Sequence, residues 1–335
     1  MRLGGRVSRC TSRARAISST ESPVVRRAVP WGVAFAAGAL VATQSRINGE
    51  LAVVMGSSVD AATISFVTGF VVIFVYLATT RSGRRGVRSL LTAVLQRRLV
   101  PWQLIGGFLG AYAVWAQSLA VPVIGVALFT VAVVAGQTSN SLVVDRWGLG
   151  AMGRIPVTPR RISAAVVGLL AVAVAVWPRL SGTSPAVLAL SVSLAAGVLI
   201  AIQQALNGAV AKATSSSWTA TGVNFALGAG ALSITVMILA LLGQPFHFAD
   251  LPASPLLYLG GPIGLLFIAG AAWAVPVLGV LRFGLLSIAG QLSGAVLWDV
   301  VAPTTGAIVS VHLIVGMLLA FVAVVVSARR GPSRG

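Results

Sequence analysis

From Trp31 to Ser327 the sequence is a succession of apolar stretches with nearly all of its arginines confined to the gaps. Each stretch approaches the twenty or so residues that an α-helix needs to cross hydrocarbon. That alternation leaves few folds open. Lipid offers no hydrogen bonds, so a crossing segment must satisfy its own backbone as a helix. The first five stretches are Trp31–Asn48, Ala61–Thr79, Trp102–Val121, Val123–Val144 and Ile162–Trp177. The second five are Ala186–Leu206, Trp218–Leu242, Leu256–Val275, Gly279–Trp298 and Thr305–Ser327. Arg81-Ser82-Gly83-Arg84-Arg85-Gly86 reads as a charged turn, Pro178 to Gly182 as a breaker, and Gln244-Pro245 ends the seventh stretch. At Pro122 and Pro276 two stretches meet with almost no loop. One kinked helix is the alternative there, but about 40 residues is too long for a single crossing.

Composition agrees. Of the 335 residues 57% are hydrophobic and 9% charged, against about 25% charged in soluble domains. The net charge of +18 does not indicate a nucleic-acid partner, because the basic residues lie between apolar runs instead of lining one helix face. All 24 basic residues except Arg46 and Arg179 fall on one side of a ten-span topology with both termini inside. This is the asymmetry that cytoplasmic loops produce. The expected location is a membrane crossed many times, with both termini on its cytoplasmic side. Residues 1–29 form a basic segment, expected as a disordered cytoplasmic tail, although their arginines and serines also suit a transit peptide. A second short basic tail covers 329–335.

One cysteine, Cys10, rules out an intrachain disulfide or a thiolate cluster. His247 and His312 are far apart. No nucleophile, base and acid converge within a stretch, so no enzyme, no metal site and no cofactor is expected.

The sequence repeats itself. Ala36-Ala37-Gly38, Gln44, Asn48 and Gly49 recur as Ala195-Ala196-Gly197, Gln203, Asn207 and Gly208, and the register continues through Phe66/Phe225 and Gly69/Gly228. A second block pairs Gly106-Gly107 with Gly260-Gly261 and Gly110 with Gly264. It goes on to pair Ala120-Val121-Pro122 with Ala274-Val275-Pro276, Ala135-Gly136-Gln137 with Ala289-Gly290-Gln291, and Asp145 with Asp299. Compositional bias would match Ala, Val and Leu, not Gln, Asn, Pro and Asp in constant register. The fold class expected is an all-α membrane protein with ten transmembrane helices as two inverted five-helix repeats, residues 30–180 and 181–328. Five is odd, so the second copy enters the bilayer upside down, an architecture common among secondary transporters.

The unit A-x-G-x-x-x-x-x-Q-x-x-x-N-G, at Ala36 to Gly49 and again at Ala195 to Gly208, resembles the YdcZ-like family of the drug/metabolite transporter superfamily, whose better-known relatives are the EamA-like transporters. The resemblance covers most of residues 31–327 as two copies. It implies a ten-helix bundle that moves small molecules across a bacterial inner membrane, with no substrate specified.

Polar side chains inside a span carry a cost that calls for a reason. Gln44 and Asn48 share a helix face, as do Gln203 and Asn207, and Gln137 and Asn140, while Gln291 is the counterpart of Gln137. By depth along their helices, Gln44, Asn48 and Gln291 are expected at an outward vestibule. Gln203, Asn207, Gln137 and Asn140 are expected at a separate inward one. These residues and Trp115 are the candidate substrate-binding set; amides that merely join neighbouring helices are the alternative. Arg46 either snorkels beside Glu50 and Asp60 or attracts anions at the outer mouth. Asp145 and Asp299, at span ends, read as caps. Gly106-x-x-x-Gly110 and Gly260-x-x-x-Gly264 read as close-packing motifs.

The expected function is a secondary transporter of a small molecule working by alternating access. A membrane scaffold or a flippase for lipid-linked metabolites is the alternative, and a homodimer is compatible with either. The topology makes a direct demand. With Cys10 replaced by Ser, a cysteine placed within 180–185 should react with a membrane-impermeant maleimide in intact cells, and protection until lysis would refute the inverted arrangement.

Overall fold

The computed structural model describes residues 23–149, 153–154, 156–177, 184–244, 251–278 and 280–328. It is all-α. The helices are α1 (Pro23–Met55), α2 (Ser58–Thr79), α3 (Arg81–Leu95), α4 (Gly106–Ile124), α5 (Val126–Trp147) and α6 (Pro159–Val176). There follow α7 (Ser184–Thr214), α8 (Ser217–Leu241), α9 (Gly260–Leu278), α10 (Val280–Val301) and α11 (Val311–Ala328). Short 3-10 turns at Pro101–Leu104 and Pro255–Tyr258 lead into α4 and α9. Among the described residues, seven helical segments are long and apolar enough to cross a membrane: α2, 101–124, α5, α6, 185–214, α8 and 282–301. The apolar parts 260–271 and 311–326 are shorter, and α1, interrupted by Gln44, Arg46 and Asn48, is not among the seven. The chain is a multi-spanning helical membrane protein.

Three local expectations need correction. The stretch expected as a charged turn at Arg81–Gly86 opens a helix, α3, started by the Thr80 hydroxyl accepting from the Gly83 N–H at 2.9 Å. Val87, Leu90, Leu91, Val94 and Leu95 recur at helical spacing along it. The arginines masked that period. Gly83, Gly86 and Ala93 are buried, whereas Arg84, Arg85, Arg88, Leu91 and Leu95 are exposed. Second, α1 begins at Pro23, so residues 23–29 are helical and not part of a disordered tail; residues 1–22 lie outside the described residues. Third, the break between the third and fourth stretches is at Gly125, not Pro122. Pro122 lies within α4, and the chain turns through Gly125 at φ 82°, a left-handed conformation that favours glycine. The expected breakers at 178–182 and Pro245 lie outside the described residues.

Packing follows the sequence repeat. α1 lies against α9 and α10, and α7 lies against α4 and α5; α2 pairs with α8, and α6 with α11. The contacts come in matched sets. Gly38 of α1 abuts the Ser287 carbonyl of α10, and its counterpart Gly197 of α7 abuts the Val133 carbonyl of α5. Gly290 meets the Phe35 carbonyl, and Gly136 meets the Leu194 carbonyl. Where α2 crosses α8, Gly69 receives Phe225 and Gly228 receives Phe66, with the two ring centroids 5.2 Å apart. In lipid, helix association depends on such close van der Waals contact, because hydrocarbon gives no hydrophobic drive between apolar helices.

A side chain at these crossings has nowhere to go. Gly197→Val and Gly290→Val should each destabilise the purified protein by about 1–3 kcal/mol, the usual penalty for overpacking. Gly230→Val, where nothing lies within 4 Å, should leave the thermal midpoint in detergent unchanged.

Candidate functional site

A cavity of about 620 Å³ lies at the centre of the bundle. α1 contributes Val41 and Gln44, and α7 contributes Ile200, Gln203, Gln204 and Asn207. α5 adds Gln137, Thr138 and Ser141, while α10 adds Ser287 and Gln291. α8 supplies Thr221, Asn224 and Phe225, α2 supplies Ser65 and Phe66, and α4 supplies Gly110, Val114 and Gln117. The wall between these polar groups is apolar and partly aromatic, with Phe129, Phe267 and Phe283.

Gln44, Gln137, Gln203, Asn207 and Gln291 therefore share one cavity instead of dividing between two vestibules. The depth argument treated each helix as straight and perpendicular to the membrane. The crossings described above bring the amide-bearing segments of both copies to the same cavity.

Three of the candidate residues lie off this wall. Asn48 is fully buried and donates to the Gln117 Oε1 at 2.7 Å. Asn140 donates to the Val198 carbonyl at 2.9 Å, tying α5 to α7. Trp115 packs edge-on to Tyr112, centroids 5.3 Å apart, within the apolar core. Asn48 and Asn140 thus join helices, the role set beside substrate binding as the alternative. Asn224 and Gln204 were not anticipated, although both are amides inside an apolar stretch and Asn224 holds the register position of Ser65 in the repeat. Asn224 donates to Asn207 Oδ1 at 3.4 Å.

The glycine motifs turn out to make room for these amides. A Cβ on Gly110 would stand 2.6 Å from Gln203 Nε2, and one on Gly106 2.7 Å from Asn207 Oδ1. Gly264 and Gly260 bear the same relation to Gln44 and Asn48. Each motif faces the Gln and Asn of the other copy.

The two ends of the cavity differ. Along α5, residues 129–136 are buried and residues 137–141 half-buried, so the lining that α5 supplies is more exposed towards the C-terminal end of this helix. The opposite end is packed shut: Ile124, Val126, Ala127, Leu128 and Val131 are each at most 1% exposed. Asp299 closes that end. Its carboxylate accepts from the N–H groups of Val126 and Ala127, both at 2.8 Å. It thereby satisfies the unpaired donors of the α5 N-terminus and meets its positive dipole end. The Thr304 hydroxyl donates to the Val121 carbonyl at 3.1 Å, and the Gly306 N–H to the Pro122 carbonyl at 3.0 Å. Arg46 donates to the Ala302 carbonyl at 3.0 Å and pairs with Glu50 at 2.9 Å, so it fastens the end of α1 to the end of α10. Asp145, the repeat counterpart of Asp299, pairs instead with Arg161 of α6. Among the described residues no three His, Cys, Asp or Glu side chains lie together where a metal ion would sit.

Asp299→Ala leaves two buried N–H groups unsatisfied and should destabilise the protein by about 1–3 kcal/mol. Asp299→Asn retains one acceptor and should cost less. Equal thermal midpoints for the two variants would contradict this account of the capped end.

The family profile DMT_YdcZ, described as "Putative inner membrane exporter, YdcZ", matches residues 29–176 and 188–326. No curated protein matches. A solved structure described only as "Crystal structure of protein" superposes with a TM-score of 0.51 at 17% identity, covering 90% of this chain and 96% of that one. At that identity the likeness is one of fold.

Proposed function

The chain belongs to the YdcZ family of the drug/metabolite transporters, and from that premise we propose that it carries a small molecule across the bacterial inner membrane by alternating access. The observation that supports this most is the central cavity, walled by amides from both sequence copies and flanked by the fully buried start of α5. A scaffold has no use for such a chamber.

In this reading ten helices cross the bilayer, α1, α2 and α4 to α11, as two inverted five-helix repeats spanning 30–180 and 181–328. α3 lies along the surface. The accessible end gathers α3 and the loop between α5 and α6, with Arg81 to Arg98, Arg154 and Arg160, as well as Lys212 and Arg282. By charge asymmetry that end is cytoplasmic, which makes the arrangement inward-facing and puts both termini in the cytoplasm. Gln44, Gln203, Gln137, Gln291 and Asn207 contact the substrate, and Asn48, Asn140 and Trp115 hold the helices that carry them. The outward-facing state follows by exchange of roles between the copies. The two crossings, α10 on α1 and α5 on α7, use equivalent glycines, which suits such an exchange.

Metabolite profiles of medium and cytoplasm, compared between cells with and without the protein, should differ in at least one small molecule. Gln44→Leu and Gln203→Leu, at unchanged membrane abundance, should each reduce that difference at least about tenfold, the effect of losing some 1.4 kcal/mol of binding. Indistinguishable profiles would remove the proposal.

A further inference from the structure

We infer that the cavity accepts uncharged, hydrogen-bonding solutes with an apolar face and passes them without coupled proton movement, an inference that rests on the transporter reading above. The polar groups on the described wall are amides and hydroxyls alone. An amide offers a donor and an acceptor at one position, so it matches hydroxyl, amide or ring-nitrogen groups of a neutral ligand but supplies no full countercharge. Moving a formal charge from water into such a site costs several kcal/mol that nothing on this wall returns. Phe66, Phe225 and Phe267 provide the surface against which a ring or alkyl face packs. The cavity volume, about 620 Å³, falls within the range of small-molecule sites.

Proton coupling needs a group on the pathway that gains and loses a proton as the gates alternate. Among the described residues the four acidic side chains all lie off the cavity wall. Glu50 pairs with Arg46 and Asp145 with Arg161, while Asp299 holds the first N–H groups of α5. Asp60 lies in the first turn of α2, off the cavity wall. Glu21 and Asp250 lie outside the described residues and outside every apolar stretch. His247, like Asp250, lies outside the described residues and outside every apolar stretch, and His312 is in the first turn of α11. The cations Lys212 and Arg282 stand near the helix ends at the accessible mouth and not on the wall. With an uncharged wall and an uncharged cargo, the cycle moves no net charge. It equilibrates its substrate down the concentration gradient.

The test uses the full-length protein in liposomes loaded with a small-metabolite extract separated by ion exchange into cationic, anionic and uncharged fractions. Solutes lost from the vesicles are identified by mass spectrometry. Loss is expected from the uncharged fraction only, at least about tenfold faster than from protein-free vesicles. The rate should be the same with and without an imposed pH gradient or potassium diffusion potential. Gln203→Glu, which adds a carboxylate to the wall, should make that loss respond to the pH gradient. Loss from a charged fraction, or a wild-type rate that follows either gradient, overturns the inference and leaves the transporter reading intact. Loss from none of the three overturns both.

Discussion

The bundle depends on backbone meeting backbone at two crossings, α1 on α10 and α5 on α7. Glycine on one helix faces a main-chain carbonyl on the other: Gly38 on Ser287, Gly290 on Phe35, Gly197 on Val133, Gly136 on Leu194. In lipid no water is released to hold helices together, and dispersion contact has to serve. Contact this close is available only where both surfaces lack side chains. The same crossings bring the Gln44 and Gln291 segments together on one side, and the Gln137 and Gln203 segments on the other. Packing and cavity thus have one origin.

What the sequence disclosed was whatever repeats or whatever costs energy. Gln, Asn and Gly at matched positions in apolar runs marked the residues that now surround the cavity, because a polar group in a membrane span is kept only for a reason. The sequence could not show convergence. Helix tilt is set by contacts between segments far apart along the chain, so depth counted from a helix start put Gln44 and Gln203 in different compartments. Asn48 and Asn140 look like their neighbours Gln44 and Gln137 in sequence, yet they serve helix–helix bonds, a distinction made by a partner on another helix. α3 escaped notice because its arginines hid a periodic row of leucine and valine. Asn224 escaped because its counterpart in the repeat is a serine.

The repeat is also informative where it fails to match. Asp299 and Asp145 occupy equivalent positions but have different partners, the N-terminus of α5 in one case and Arg161 in the other. Arg46 faces Ala205 in the repeat register. It adds a bond from α1 to the end of α10 for which the other copy has no equivalent arginine.

Gly125 joins α4 to α5 by a single residue, and Asp299 grips the first N–H groups after it. A joint so short lets neither helix slide away from the other there, so any movement of α5 would be rotation about that point. The helix has 22 residues, a lever of about 33 Å at 1.5 Å per residue, and a tilt of about 10° carries its free end some 6 Å. Gln137 and Ser141 ride on the long arm while Val126 scarcely moves. A small angular play at the pinned end would thereby become a displacement comparable to the width of a metabolite.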